Sequence, residues 1–482
     1  MDADLLLRSR DSITVSRGLS SQSKVLVCPG SVLCFSKSGA LLALVEPLGV
    51  RVLRTNTYTE DVLRLRRDKV IFMDFSPADD CLITCEKWVQ APNLAVWHLP
   101  DGALIHQFTV KKVGKESWPV LKWRGDGRMF LLKEGNEVVV YGVDGAEVMR
   151  VGEGLITSVF CSGGDPWRVL TFCGEIRGQP PIVTYYICQP SGFNRVAQET
   201  LAKGVEAVVL WNKQSTAWLI WCQTDVDTTG RSYYGEHSLY LMNETGHCKA
   251  IKTADGPIYD VSWSPTGEEF IVLSGFMPAT CTLFNSKGNK VTEITKNHLN
   301  TIRWDPFGQL FILAGFGNLA GDMEIWARAR MQVIGRLSSP MTVACEWCPD
   351  GLHIMTAVLT PRMRVDNGWK VWHYTGRMVQ AEQEEGELWE AAWKPEVRRK
   401  PVIDTEIQAE ESKKSTYRPP AGSAGFAERF RAVKEGQGTV QPSKPVPPPP
   451  AAADLIPGYV PETKKRRKKK KSKEGAAEPA AN

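Results

Sequence analysis

The chain has 482 residues, 43% of them hydrophobic, and a formal net charge of +5. No apolar run approaches the ~18–20 residues of a membrane-spanning helix, and Leu5–Leu7 is too short for the core of a secretory leader. The expectation is an intracellular chain with no membrane partner. From Val397 onward 19 Lys+Arg face 10 Asp+Glu, so the first 396 residues sum to −4 and the basic character lies in the tail.

In chain order, Ser12-Ile-Thr-Val15 and Lys24-Val-Leu-Val27 read as short strands with no partner nearby. A repeating unit follows: an aromatic residue, a short polar turn and an apolar strand. It runs Phe35-Ser-Lys-Ser-Gly39, Phe75-Ser-Pro77, Trp123-Arg-Gly-Asp-Gly127, a degenerate Phe160-Cys-Ser-Gly-Gly164 and Trp211-Asn-Lys213. It continues as Trp263-Ser-Pro-Thr-Gly267, Trp304-Asp-Pro-Phe-Gly308, Trp347-Cys-Pro-Asp-Gly351 and Trp393-Lys-Pro395. The spacing of 37 to 52 residues brackets the ~40–45 of one WD-type propeller blade. Second strands such as Leu310-Phe-Ile-Leu313 and later strands such as Met323-Glu-Ile-Trp326 complete each unit. The fold expectation is an all-β, WD-type β-propeller over residues 1–400. Nine rings imply nine blades, the last completed by N-terminal strands so that no edge stays open. The rings themselves read as filling between blades.

Residues 401–482 are expected to form a disordered tail that is Pro-rich, as at Pro445-Val-Pro-Pro-Pro-Pro450, and Lys/Arg-rich. Gly425–Val433 could form one amphipathic helix on a partner. Eight cations, Lys464, Lys465, Arg466, Arg467, Lys468, Lys469, Lys470 and Lys471, stand in a row. Three readings compete for them: a solubilising tail, a nuclear-import signal, and a sequence-independent grip on RNA phosphates.

Catalytic signatures are missing. The sequence has no G-x-x-x-x-G-K-[ST], no nucleophile elbow and no H-E-x-x-H, so neither an enzyme nor a cofactor is expected. The twelve cysteines fall in apolar segments and read as free thiols. Cys345-Glu-Trp-Cys348 lacks the second ligand pair a zinc site needs and is read as structural. Asp225-Val-Asp-Thr-Thr-Gly230, with Glu236 after it, approaches a calcium-loop pattern. Its flanks read as strands where that motif needs helices, so it is taken as a polar loop and no metal is expected.

Several longer stretches carry a resemblance. Thr224–Glu236, Gly256-Pro-Ile-Tyr-Asp-Val261, Gly275-Phe-Met-Pro-Ala279, Gly315-Phe-Gly-Asn-Leu319, Pro361–Gly368 and Trp372-His-Tyr-Thr-Gly376 are similar to the eukaryotic translation initiation factor 2A family. So are Tyr417-Arg-Pro-Pro420 and Pro457-Gly-Tyr-Val-Pro461. The resemblance implies a propeller that binds the small ribosomal subunit. It further implies help in placing initiator methionyl-tRNA on selected mRNAs, directed by the start codon and without GTP. Family members commonly carry a longer charged, helical C-terminal region, whose role the basic tail would take electrostatically. Other initiation factors are further candidate partners, and a monomer in the cytoplasm is expected. A nuclear fraction follows if the Lys464–Lys471 run is an import signal.

The resemblance also suggests contact residues in the family-like loops: Arg231, Tyr233, Tyr234, Phe276, Met277, Arg362, Arg364, Asn367 and His373. Arg362 and Arg364 suit phosphate, because a guanidinium fork matches it bidentately. Two alternatives remain at this point. One is the propeller subunit of the multi-subunit initiation complex; the other is a nuclear or nucleolar WD-repeat scaffold.

Overall fold

The computed structural model describes residues 3–10, 12–18, 24–88, 92–111, 113–152, 154–224 and 235–403, and the following applies to them. Strands make up all of the regular structure, in nine four-stranded antiparallel sheets. Eight are continuous in sequence: blades I (33–65), II (70–108), III (122–151), IV (158–200), V (206–250), VI (258–297), VII (301–338) and VIII (344–383). Blade IX joins the two ends of the propeller. Its innermost strand is Leu388–Trp393, and beside it lie Asp4–Ser9, Ser12–Arg17 and Lys24–Pro29.

Ring closure therefore uses three N-terminal strands, one more than the sequence suggested. The strand that meets Leu388–Trp393 directly is Asp4–Ser9, pairing Leu5 with Trp393 and Leu7 with Ala391. Leu5–Leu7 is an uninterrupted apolar run because it is buried on both sides.

The core consists of nine apolar clusters, one between each pair of neighbouring blades. Leu310, Ile312 and Ala314 of blade VII pack with Trp347, Ile354 and Trp372 of blade VIII. The alternate residues Phe311 and Leu313 pack the other way, with Ile271 and Leu283 of blade VI. Successive side chains of a strand point to opposite faces, and here both faces are covered, which is why these strands are continuously hydrophobic. Leu6, Ile13 and Val15 of blade IX pack with Leu42, Leu53 and Tyr58 of blade I, which closes the wheel.

The repeated rings sit at the end of each innermost strand and pack toward the preceding blade. Each also heads a row across its own sheet. Trp304 lies 4.9 Å from Phe311, its cross-strand partner, and Phe311 lies 6.1 Å from Trp326. Trp123–Phe130–Tyr141 and Trp263–Phe270–Phe284 repeat the pattern. Such pairs are worth ~0.5–1.5 kcal/mol beyond their buried area. Two rings also stitch neighbours by hydrogen bonds: Trp263 Nε1 donates to the Leu210 carbonyl (2.9 Å) and Trp347 Nε1 to that of Arg303 (3.0 Å).

Phe160 is a correction. It packs forward, with blade V, and its neighbours Val159 and Cys161 take the position toward blade III. A slip of one residue reverses the side chain in a period-2 strand. Cys161 is the true counterpart, since the buried Ser162 follows it as Ser36 follows Phe35.

In blades I, V and VII the polar residue after the ring caps the turn. Ser36 Oγ accepts from the Leu41 amide (3.1 Å), Asn212 Oδ1 from Ala217 (3.1 Å) and Asp305 Oδ1 from Leu310 (2.7 Å). Four residues past the ring the backbone turns left-handed, at φ 74° for Gly39 and 70° for Gly308. Asp79 and Ser215 hold the same conformation without glycine, at 58° and 56°. Gly39 has a second constraint: a Cβ there would run into the Pro395 carbonyl, where blade I meets the segment that follows blade IX.

Candidate functional site

Strand order sorts every connection onto one of two faces. Turns between first and second strands, and between third and fourth, lie on one side, here the turn face. Loops between second and third strands, and the crossings to the next blade, lie on the other, the loop face. By this rule the described ends of Thr224–Glu236 (Thr224, Gly235 and Glu236), and 256–261, 275–279, 315–319 and 361–368, all emerge on the loop face, from blades V to VIII in succession. Trp372–Gly376 lies on the turn face. Five of the six family-like stretches within the propeller are thus gathered on one arc of one face.

The loops of this arc are hydrogen-bonded to the crossings beside them. In blade VI the Gly275 amide donates to the Pro257 carbonyl (2.9 Å) and the Phe276 amide to that of Asp255 (3.2 Å). Gly256, at φ 123°, leaves no room for a Cβ against the Phe276 nitrogen. In blade VII the Asn300 amide group spans the loop, giving to the Phe316 carbonyl (2.9 Å) and taking from its N–H (3.0 Å). In blade V Thr224 Oγ1 accepts from the Glu236 amide (2.9 Å), and the Glu236 carboxylate meets Lys203 at 2.7 Å.

Blade VIII carries the largest described loop of the arc. Asn367 is 3% exposed and its amide is hydrogen-bonded at both ends. Its Oδ1 accepts from Thr360 Oγ1 (2.8 Å) and from the Leu388 amide (2.9 Å), and its Nδ2 donates to the Met363 carbonyl (2.9 Å). Asn367 therefore shapes the loop instead of facing solvent. Arg362, Arg364 and Val365 are exposed on the loop it shapes. In blade VI Phe276 is 48% exposed and Met277 is half-buried. Phe276, Arg362 and Arg364 thus share the loop face, on the loops of blades VI and VIII.

His373 stands apart, on the turn face. It is half-buried, its Nδ1 3.0 Å from Thr375 Oγ1 and its ring 5.5 Å from that of His353. Burial, reinforced by His353 and Arg377, holds its imidazole down to about 4, so it is neutral at physiological pH. Arg231, Tyr233, Tyr234, most of the calcium-like loop and residues 404–482, with Gly425–Val433 and the Lys464–Lys471 run, lie outside the described residues.

The loop face differs chemically from the turn face. Leu48, Trp88, Leu155, Ile176, Val205, Phe276 and Val365 are its exposed large apolar residues, whereas on the other face the described residues of this kind outside strands are Val397 and Val402, on the segment that follows Trp393. Sequence reading missed this asymmetry, because which loops share a face is a property of strand order. No group of three or more His, Cys, Asp or Glu placed to hold a metal ion occurs among the described residues. Cys345 and Cys348 are unpaired and buried, and burial pushes the Cys345 thiol up to about 12.

The family model for eukaryotic translation initiation factor eIF2A matches residues 199–391, the stretch that builds the arc. The translation initiation factor 2A of Caenorhabditis elegans is 32% identical over 406 residues, 80% of this chain and 70% of that protein. The chain belongs to the eukaryotic translation initiation factor 2A family. The family's Dictyostelium discoideum member is 34% identical over 75% of this chain, which spans 60% of that relative's length. A solved structure described as that of the eukaryotic initiation factor superimposes with a TM-score of 0.73 at 27% identity, covering 82% of this chain and 99% of the other. The nine-bladed propeller described above is thus a fold that this chain shares with a solved initiation factor over most of both chains.

Proposed function

We propose that the protein is a non-enzymatic, cytoplasmic translation initiation factor. In this reading it binds the small ribosomal subunit as a monomer and helps direct initiator methionyl-tRNA to it on selected mRNAs, directed by the start codon and without GTP. Family membership supports the initiation role. The observation that carries the binding mode is the gathering of family-like loops from four consecutive blades on one face. Loops hydrogen-bonded to their neighbours lose little entropy on docking, so affinity is not spent on ordering them. Phe276 supplies an apolar contact, while Arg362 and Arg364 supply phosphate contacts. The Lys464–Lys471 run adds a salt-sensitive, sequence-independent hold on rRNA.

Sucrose-gradient sedimentation of cell extract tests this. The full chain should travel with free small subunits, and Arg362→Glu combined with Arg364→Glu should shift most of it to the top fractions. Unchanged sedimentation of the double variant would overturn the assignment of the arc. Migration with the multi-subunit initiation complex, or with neither particle, would overturn the assignment of the partner.

A further inference from the structure

Blade II stands on the opposite arc of the same loop face, and its chemistry is different. Three separate segments meet there. The crossing from blade I supplies Arg66, Arg67 and Lys69, the loop of blade II supplies Lys87 and Trp88, and the crossing to blade III supplies Lys111 and Lys115. Hydrogen bonds lock the segments together. The Lys87 amide donates to the Lys69 carbonyl (3.0 Å), and Asn93 bridges to Val110 in both directions (3.0 and 2.9 Å). Trp118 pins the long crossing by stacking on Phe72 at 5.3 Å and donating to the Met73 carbonyl.

The charge there is uneven. Arg67 pairs with Glu86 at 3.4 Å and lies over the Trp97 ring at 4.8 Å, and Lys69 lies 3.9 Å from Asp68. Arg66, Lys87, Lys111 and Lys115 are exposed, and none has an ion-pair partner among the described residues. Glu116, exposed beside Lys115, is the other anion of these segments, so they keep a net positive charge while the first 396 residues sum to −4. Beside Lys87 the Trp88 ring is 43% exposed, with no ring or hydrogen-bond partner among the described residues.

We infer that this rim of blades I and II is a binding site for single-stranded RNA, with Trp88 as the platform for one base and the cations around it holding the flanking phosphates. A flat apolar ring inside a cationic patch is the combination that unpaired nucleic acid uses, because every base has a face to stack and every linkage a charge to neutralise. An acidic protein would satisfy the cations but leave no reason for the bare indole. A duplex would keep its bases stacked on one another. The site lies apart from the arc of blades V to VIII and from the Lys464–Lys471 run, and it does not depend on either.

The test is binding of a fluorescent oligouridylate to the full chain across a salt series. Trp88→Ala should weaken binding about tenfold, and Trp88→Phe should restore most of it. Replacing Arg66, Lys87, Lys111 and Lys115 together by Ala should lower the slope of log affinity against log salt by about 3. In the unaltered protein, 4-thiouridine cross-links should map to residues 87–88 or 111–118. An effect of Trp88→Ala below twofold, or cross-links confined to the Lys464–Lys471 run, would overturn the inference. So would equal loss of duplex binding, or competition by polyglutamate as effective as by RNA. Small-subunit sedimentation run in parallel separates the two readings. Rim cross-links without co-sedimentation would overturn the proposed function alone, and co-sedimentation without rim cross-links would overturn this site alone.

Discussion

Asp4 is the residue on which closure of the ring concentrates. Its carboxylate is 3% exposed and lies where blade IX, blade I and the C-terminal strand meet. Tyr58 Oη donates to it at 2.8 Å, Lys394 Nζ lies at 3.3 Å and Arg17 Nε at 3.5 Å. Burial, with the bond to Asp4 next, pushes the Tyr58 phenol up, so it stays a donor. Asp4→Ala leaves a phenol that is 1% exposed without its acceptor, at about 1–3 kcal/mol. Breaking a buried ion pair costs about 3–5 kcal/mol, but Lys394 keeps Glu396 at 3.0 Å, which places its share well below that range. Arg17 is half exposed and adds little. The expected loss is about 3–4 kcal/mol, a large part of a typical domain's stability. Urea unfolding followed by tryptophan fluorescence should show a lower midpoint at unchanged slope. Tyr58→Phe should cost about 1 kcal/mol, and the double variant less than the sum, because the two share one bond. A loss below about 1 kcal/mol for Asp4→Ala would refute the view that this carboxylate holds the ends together.

Trp304→Ala should cost about 3–5 kcal/mol in the same assay, since it empties the head of the Trp304–Phe311–Trp326 row; a cost below about 1 kcal/mol would mean the ring does not wedge the blades. His373 makes stability depend on pH. Its folded value is about 4 against ~6.5 when unfolded, so stability is full above pH ~6.5 and is lost as pH falls toward 4. His373→Asn should flatten that part of a denaturation–pH profile, and a slope left unchanged would contradict the burial described. Deleting residues 462–474 should weaken ribosome binding and flatten its salt dependence; an unchanged salt slope would reject the phosphate grip in favour of a solubilising or import role.

Much of the fold was legible because a propeller writes its period into local sequence. In blades I, II, V, VI and VII the innermost strand ends in a ring, then Ser, Asn or Asp, then a left-handed residue, all within five positions. Where that signature loosens, the reading slipped, as at Phe160, which lies one residue from the true position held by Cys161. The Asp4–Ser9 strand was missed because its partner, Leu388–Trp393, lies at the other end of the propeller, and local pattern cannot report a pairing of that span. The candidate surface was legible only in part. Arg362, Arg364 and Phe276 stood out by resemblance, yet their shared face and the separation of His373 follow from strand order. Asn367 looked like a contact residue, but its amide is engaged by its own loop and by the Leu388 amide of blade IX. The rim of blade II left no local signal, since Arg66, Lys87 and Lys111 come from three segments that only the ring brings together.

A cryo-EM map of the full chain bound to the small ribosomal subunit tests the central claim most directly. The account predicts a closed nine-bladed wheel whose loops 275–278 and 359–367 lie against the subunit, with Arg362 and Arg364 at phosphates. Density placing the turn face, around Gly39, Gly308 and His373, against the subunit would contradict it, as would an opened ring with Asp4 parted from Lys394.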